Sequence, residues 1–165
     1  YMGIKIIQHP DVEADDVIAS LVNKHSTNIQ TFISSGDKDL AQLVNKNVSL
    51  VNSLDGKQLD QDGVKKKFGV APNQIKDYLT LVGDSSDNIP GVPKIGPKTA
   101  VNLLDKYLDL NSILENIDEL KTNLRENLQN SLTTIKLAQE LISLKSDIDL
   151  RSKIDDYEVL SLIHI

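Results

Sequence analysis

An alternation of strand-like and helix-like segments at the start of the chain constrains its fold more than any other feature. Residues 3–8, 29–34 and 48–53 are short runs rich in β-branched and apolar residues, and residues 11–25 and 38–44 between them carry helical spacing. The order βαβαβ favours a mainly parallel sheet covered by helices, because strands that run the same way need a crossover between them. Asp55-Gly56 then reads as a turn that opens a hairpin with Gln58-Leu59. Beyond it the pattern turns helical, over residues 61–68, 73–82, 98–107, 113–117, 120–128 and 132–143, with Pro97 at a helix start. The expectation is an α/β core over 1–80, a small helical subdomain over 81–150 and a tail over 151–165.

With 165 residues, 39% of them hydrophobic and 25% charged, the chain can bury a core of one domain or two small ones. It has no cysteine, so disulfides and thiolate zinc sites are excluded, and its three histidines, His9, His25 and His164, lie far apart in sequence. A bound metal would be held mainly by oxygen. No apolar run approaches the roughly 20 residues of a membrane span, so a cytoplasmic protein without a membrane partner is expected. The chain opens almost inside a strand and ends on an apolar run, Leu160-Ser161-Leu162-Ile163-His164-Ile165, which suggests a piece of a longer protein.

A net charge of −6 argues at first against a nucleic-acid binder. The acids, however, are concentrated in three clusters. Glu13-Ala14-Asp15-Asp16 stands at a helix start, where acids interact well with the helix dipole; three carboxylates in one turn nonetheless repel unless a cation sits among them. Gly36-Asp37-Lys38-Asp39 follows the second strand, at the end of a sheet where α/β proteins place ligands, although a capped polar loop would look the same. Asp84-Ser85-Ser86-Asp87-Asn88 ends a helix, where negative charge is disfavoured; an Asx turn explains one aspartate but not two. Removing these seven carboxylates from the 24 acidic residues leaves 17 against 18 basic, a net of +1. Hard cations such as Mg²⁺ or Mn²⁺ take carboxylate oxygens, and a pair of them can serve both oxygens of a phosphodiester displacement. Glu13, Asp15, Asp16, Asp37, Asp39, Asp84 and Asp87 are therefore the candidate metal and catalytic residues.

Gly91-Val92-Pro93-Lys94-Ile95-Gly96-Pro97-Lys98-Thr99-Ala100 fails as a P-loop, because Pro97 separates Gly96 from Lys98 and no strand precedes it. A helix-hairpin-helix fits better: glycines let backbone N–H groups approach a phosphate, and the following helix N-terminus adds positive potential. Gly91, Val92, Lys94, Gly96, Lys98 and Thr99 are the candidate DNA-backbone contacts, set against a plain tight turn between helices. Lys65-Lys66-Lys67 reads as a solvated helix face.

Glu13-Ala14-Asp15-Asp16-Val17-Ile18, Ser35-Gly36-Asp37-Lys38-Asp39-Leu40-Ala41-Gln42-Leu43-Val44, Phe68-Gly69-Val70 and the run from Leu81 to Ala100 resemble the 5′→3′ exonuclease domain of bacterial DNA polymerase I. The wider family includes phage 5′ nucleases and flap endonucleases, and the resemblance runs from about Tyr1 to about Asp149. It implies a partial Rossmann-like, PIN-like nuclease core followed by a helix-three-turn-helix subdomain that grips duplex DNA and often binds K⁺. It also implies that the seven acids line a site for two divalent ions acting on DNA near a single-strand/double-strand junction, at a 5′ flap or 5′ end, as in removal of RNA primers during replication and repair. The family's first strand, with a further aspartate, and its basic arch are not seen ahead of Tyr1, and residues 157–165 leave the family pattern. The chain thus reads as a carboxyl-terminal portion of such a domain, within a longer polymerase or nuclease chain. Two other readings remain: a non-catalytic helix-hairpin-helix module that binds duplex DNA, and a scaffold with solvated acidic turns.

Overall fold

The computed structural model of the chain describes residues 5–150 and Lys153. It divides into two compact units, one made by residues 1–31 with 144–165 and the other by residues 32–143. The expected strand over 3–8 is not formed in its described part: residues 5–8 are irregular. A β-branched run becomes a strand only when a neighbour completes its hydrogen-bond ladder. The tail expected over 151–165 lies, apart from Lys153, outside the described residues.

The first unit is built on helix α1, Ala14–His25. It starts later than the expected residue 11, because Asp11 sits at φ 59 in the left-handed region and Glu13 is extended. Asp16, Ser20 and Asn23, spaced to share a helix face, hold the segment 145–148 by polar contacts. The Lys145 N–H donates to Asp16 Oδ1 at 2.8 Å, the Ile148 N–H donates to Ser20 Oγ at 3.2 Å, and Asn23 Nδ2 donates to the Ser146 carbonyl at 3.0 Å.

In the second unit, strands β1 (Thr31–Ser34), β2 (Val48–Val51) and β3 (Gln58–Leu59) form a sheet in that order. The expected hairpin is present, since β2 and β3 are antiparallel with Leu50 opposite Leu59. The segment 38–44 forms a 3₁₀ turn, Asp39–Leu43, rather than an α-helix. Five residues are too few to repay α-helix nucleation, and side-chain acceptors at Ser35 and Asp37 tighten the entry.

Helices then follow one another: α2 (Gln61–Phe68), α3 (Ile75–Val82), α4 (Pro97–Tyr107), α5 (Leu110–Glu115), α6 (Thr122–Asn130) and α7 (Leu132–Ile142). Asp60 caps α2 by accepting from the Gly63 N–H at 2.8 Å, and Asp109 caps α5 by accepting from the Ser112 N–H at 2.7 Å. The Asp109 cap starts α5 three residues ahead of the expected 113, and the helix ends at Glu115. The expected 73–82 helix divides at Gln74, because Pro72 begins a separate 3₁₀ turn. Helix α3 is the hub: it packs on α4, on α7 and on the 3₁₀ turn. Ile75, Leu79, Leu81, Leu103, Leu104, Ile135 and Ile142 are among the buried residues of this core.

After α3 the chain makes a two-residue hairpin that the turn-rich sequence did not announce. Strand β4 (Gly83–Asp84) pairs antiparallel with β5 (Ile89–Pro90). Gly83 has φ 81, and a Cβ added there would lie 2.3 Å from the Gly91 nitrogen; one added at Gly91 would lie 2.2 Å from the Val82 carbonyl oxygen. The two backbones touch where any side chain would intrude. Gly91→Ala should therefore cost about 3 kcal/mol or more, or prevent folding, while Gly36→Ala, where nothing lies within 4 Å, should stay within about 0.5 kcal/mol of the parent in urea unfolding.

Candidate metal centre and phosphate-binding turn

The loop from β1 into the 3₁₀ turn is shaped by its own side chains. The Asp37 N–H donates to Ser35 Oγ at 3.0 Å, and the Asp39 N–H donates to Asp37 Oδ1 at 3.0 Å. This turns the Asp39 side chain toward the β4–β5 hairpin. One carboxylate oxygen each of Asp39, Asp84 and Asp87 lie within 4.8 Å of one another. Asp37, exposed beside them, adds negative potential at both Asp39 and Asp87.

Asp84 is the buried member, with its side chain 1% exposed. Its Oδ1 accepts from the Ser86 N–H at 2.9 Å and is ion-paired with the Lys38 ammonium. Asp84 Oδ2 and Asp39 Oδ1 are buried and have no hydrogen-bond partner. Buried carboxylate oxygens without partners are costly, and a hard cation seated among the three acids satisfies both. The donor set, all carboxylate oxygen, fits a divalent ion of the Mg²⁺ or Mn²⁺ kind.

The electrostatics agree with that fit. Burial, then the charges of Asp37, Asp87 and Asp84, push the Asp39 carboxyl up to about 6 against the opposing pull of Lys38. Burial acts to raise Asp84 too, but Lys38, the Ser86 N–H and Asp87 outweigh it and hold Asp84 below its ordinary value. Asp87 moves the other way, raised first by the Asp84 carboxyl beside it and then by burial and neighbouring charge. Crowding of this kind is what a cation bound among the acids would relieve.

Lys38 is the functional residue that sequence reasoning passed over. Its signal was its place in Asp37-Lys38-Asp39: repelling carboxylates need a cation, and the chain supplies one from within the cluster.

The other expected acids lie in the first unit. Glu13 is the N-cap residue of α1 and Asp15 is in its first turn. Asp16 is buried and engaged with Lys145, through the backbone N–H at 2.8 Å and the ammonium at 3.9 Å, so it also anchors the 145–148 segment.

The turn between β5 and α4 is a second element of this unit. The Ile95 N–H donates to the Val92 carbonyl at 3.0 Å, with Pro93 and Lys94 at the corners and Lys94 at φ 64. Such a type II arrangement usually takes glycine at the second corner. Lys94 and Lys98 are exposed, Gly96 and Thr99 half-exposed, and Gly96 is the N-cap residue of α4. Two of the candidate phosphate contacts have other jobs. Val92 is buried and its N–H is spent on the Leu81 carbonyl at 2.8 Å, while Gly91 is held against Val82.

Residues 1–69 match the family model described as the 5′-3′ exonuclease N-terminal resolvase-like domain, and residues 70–162 match the model of the 5′-3′ exonuclease C-terminal SAM fold. The chain belongs to the 5′-3′ exonuclease family. It is 40% identical over 158 residues to a 5′-3′ exonuclease of Aquifex aeolicus, covering 95% of this chain and 54% of that one. It is 41% identical over 161 residues to DNA polymerase I of Caldicellulosiruptor bescii, covering 93% of this chain and 19% of the polymerase. The T5 5′-exonuclease with divalent zinc ions bound superposes with a TM-score of 0.72 at 26% identity, covering 82% of this chain and 51% of that one. A T5 flap endonuclease complex with DNA and metal ions superposes at 0.70 and 25% identity, over the same 82% and 51%. This exonuclease-family chain thus spans about half the length of the 5′-3′ exonucleases that it matches.

Two outcomes follow for the carboxylate cluster. Between about pH 4 and about pH 6 the folded chain keeps a proton on Asp39 that the unfolded chain has lost, so in EDTA Asp39 lowers stability as pH rises through that window. Asp39→Asn should remove that component and gain about 1 kcal/mol at pH 7 without metal, read by urea unfolding at several pH values. Lys38→Met leaves the buried Asp84 carboxylate unpaired and should cost about 2 kcal/mol in EDTA, with millimolar Mn²⁺ recovering more stability in the variant than in the parent.

Proposed function

We propose that this chain carries the metal-dependent nuclease centre of a 5′→3′ exonuclease or 5′-flap endonuclease, acting on DNA near a single-strand/double-strand junction. The observation that carries the reading is the convergence of Asp39, Asp84 and Asp87, with two buried oxygens lacking partners, in a chain of the 5′-3′ exonuclease family. Mg²⁺ or Mn²⁺ bound there would supply charge neutralisation at the scissile phosphate and activation of water for its hydrolysis. Glu13, Asp15 and Asp16 belong to the same proposal as further ligands of a two-ion centre, on the strength of the sequence resemblance. A K⁺ ion at the helical turn, a 5′ flap or RNA-primed end as the substrate, and a cytoplasmic site of action also rest on that resemblance. In support, no described helix is long and apolar enough to cross a membrane.

The chain's own residues divide the work. Asp39, Asp84 and Asp87 hold the cation, and the hydrogen bonds of Asp37 and Ser86 fix the loops that present them. Lys38 occupies the cluster as the resident positive charge. The turn bearing Lys94, Gly96, Lys98 and Thr99 meets the DNA backbone without reading sequence. The nuclease core over 1–80 and the DNA-gripping subdomain over 81–150 are the division of labour that this reading implies.

The chain, and a form extended to the full length of the curated 5′-3′ exonucleases, should be tested on a labelled 5′-flap duplex with Mg²⁺, Mn²⁺ or EDTA. Metal-dependent cutting that falls at least about 100-fold in Asp84→Asn is expected. Failure of the extended form to cut with either ion sinks the enzyme reading, and binding without cutting by both forms points to a DNA-binding module. Lys94→Gly separates fold from function: it should gain about 0.5–1 kcal/mol by relieving the left-handed backbone, while weakening duplex binding and flattening its salt dependence.

A further inference from the structure

Beside the carboxylate cluster, and within the same unit, lies a cavity of about 240 Å³ that the proposed reaction leaves unused. It is lined by the loop of Asp37 and Lys38, by the 52–57 hairpin and by the end of α2. Leu50, Leu59 and Phe68 give it an apolar lining. The Phe68 ring is held edge-on by Tyr78, with centroids 6.1 Å apart, so this surface is fixed rather than adaptable.

The hairpin wall is equally well set. The Asn52 N–H donates to the Lys57 carbonyl and the Gly56 N–H to the Asn52 carbonyl, both at 2.9 Å. Asn52 Oδ1 accepts from the Leu54 N–H at 2.8 Å, and Asp55 Oδ1 from the Lys57 N–H at 3.1 Å. Three lysines line the cavity, Lys38, Lys57 and Lys67. Lys67 lies 5.1 Å from the Phe68 ring centroid, which gives one member of the Lys65-Lys66-Lys67 run a place beyond a solvated face. Two aspartates, Asp37 and Asp55, also line the cavity; Asp55 is neutralised by Lys57 at 2.9 Å.

An apolar lining with a fixed aromatic ring suits a flat heterocycle, and ammonium groups beside it suit a phosphate. We infer that this cavity is a subsite for one 5′-nucleotide unit, its base against Phe68 and Leu50 and its phosphate toward Lys67 and toward Lys57, whose exposed ammonium also pairs with Asp55. The choice of ligand class rests on the nuclease reading, because the cavity shares Asp37 and Lys38 with the loop that presents Asp39. The unit comes either from the strand being cut or from a released mononucleotide, and both carry the same chemistry.

The test is an amide NMR titration of the whole 165-residue chain in EDTA with thymidine 5′-monophosphate. Saturable shifts at Asn52, Lys57 and Phe68 are expected, with affinity reduced about tenfold or more in the Lys57→Ala/Lys67→Ala double variant, whose altered side chains are exposed and so leave the fold intact. Thymidine and inorganic phosphate, titrated separately, should each bind about tenfold more weakly. Competition by the tetranucleotide d(pTTTT) would assign the subsite to the strand; its failure to compete would assign it to the mononucleotide. Absence of shifts at these three amides up to about 20 mM, unchanged affinity in the double variant, or equal binding of inorganic phosphate overturns the inference. Because no divalent ion is present, the outcome is independent of cleavage: a chain that cuts flaps yet binds no nucleotide here refutes the subsite alone. A chain that binds the nucleotide here while its full-length extended form never cuts refutes the nuclease reading alone.

Discussion

The contact between Gly83 and Gly91 is the constraint on which the rest of the second unit depends. Where these backbones meet, a Cβ on either residue would fall within 2.3 Å of a main-chain atom. The contact closes the β4–β5 hairpin immediately after α3, and the hairpin does two things at once. On its first strand and turn it carries Asp84 and Asp87; beyond its second strand it delivers the chain into the Val92–Ile95 turn and the start of α4. A carboxylate pair and a basic turn are thus held by one short element, itself anchored on the most heavily packed helix of the unit. One short element therefore keeps the carboxylates and the basic turn at a fixed spacing.

The carboxylate cluster shows how a fold tolerates crowded acidic charge. Asp84 alone would be an unpaired buried ion, an arrangement that costs several kcal/mol in general. Lys38 offsets this from the adjacent loop, and the Ser86 N–H contributes a second bond to the same oxygen. Burial first, then neighbouring charge, raises the Asp39 carboxyl, and the adjacent Asp84 raises that of Asp87, while Lys38 and the Ser86 N–H help hold Asp84 low. The loop sequence Asp37-Lys38-Asp39 therefore encodes both acidic members of the cluster and the positive charge that stands among them.

Much of this was legible in the sequence, and the reasons for the exceptions are physical. Hydrophobic spacing located α1, α2, α4 and α7, and the Asp55-Gly56 turn announced the β2–β3 hairpin. Among the seven acids singled out, Asp39 stands after a strand, and Asp84 and Asp87 at a helix end where an Asx turn explains one aspartate but not two; the fold brings these three together. Boundaries moved where a local signal outranked periodicity: the left-handed Asp11 delayed α1, Pro72 split the helix before Ile75, and the Asp109 cap drew α5 forward. Residues 5–8 look strand-like but are irregular, since strand formation depends on a partner that local sequence does not reveal. The Val92 N–H is a similar case. A glycine-rich turn advertises free N–H groups, yet only the fold shows that the Val92 N–H is already given to Leu81.

In the proposed centre two loops far apart in sequence, 37–39 and 84–87, share a single cation site. Substoichiometric Mn²⁺ added to the isotope-labelled chain reads this directly, because the paramagnetic ion broadens amide signals near it. The account predicts that signals of Asp37, Lys38, Asp39, Asp84, Ser86 and Asp87 fade together along one titration curve, and that Asp84→Asn weakens the effect at both loops. Broadening of one loop without the other, or curves of different midpoint for the two, would contradict it.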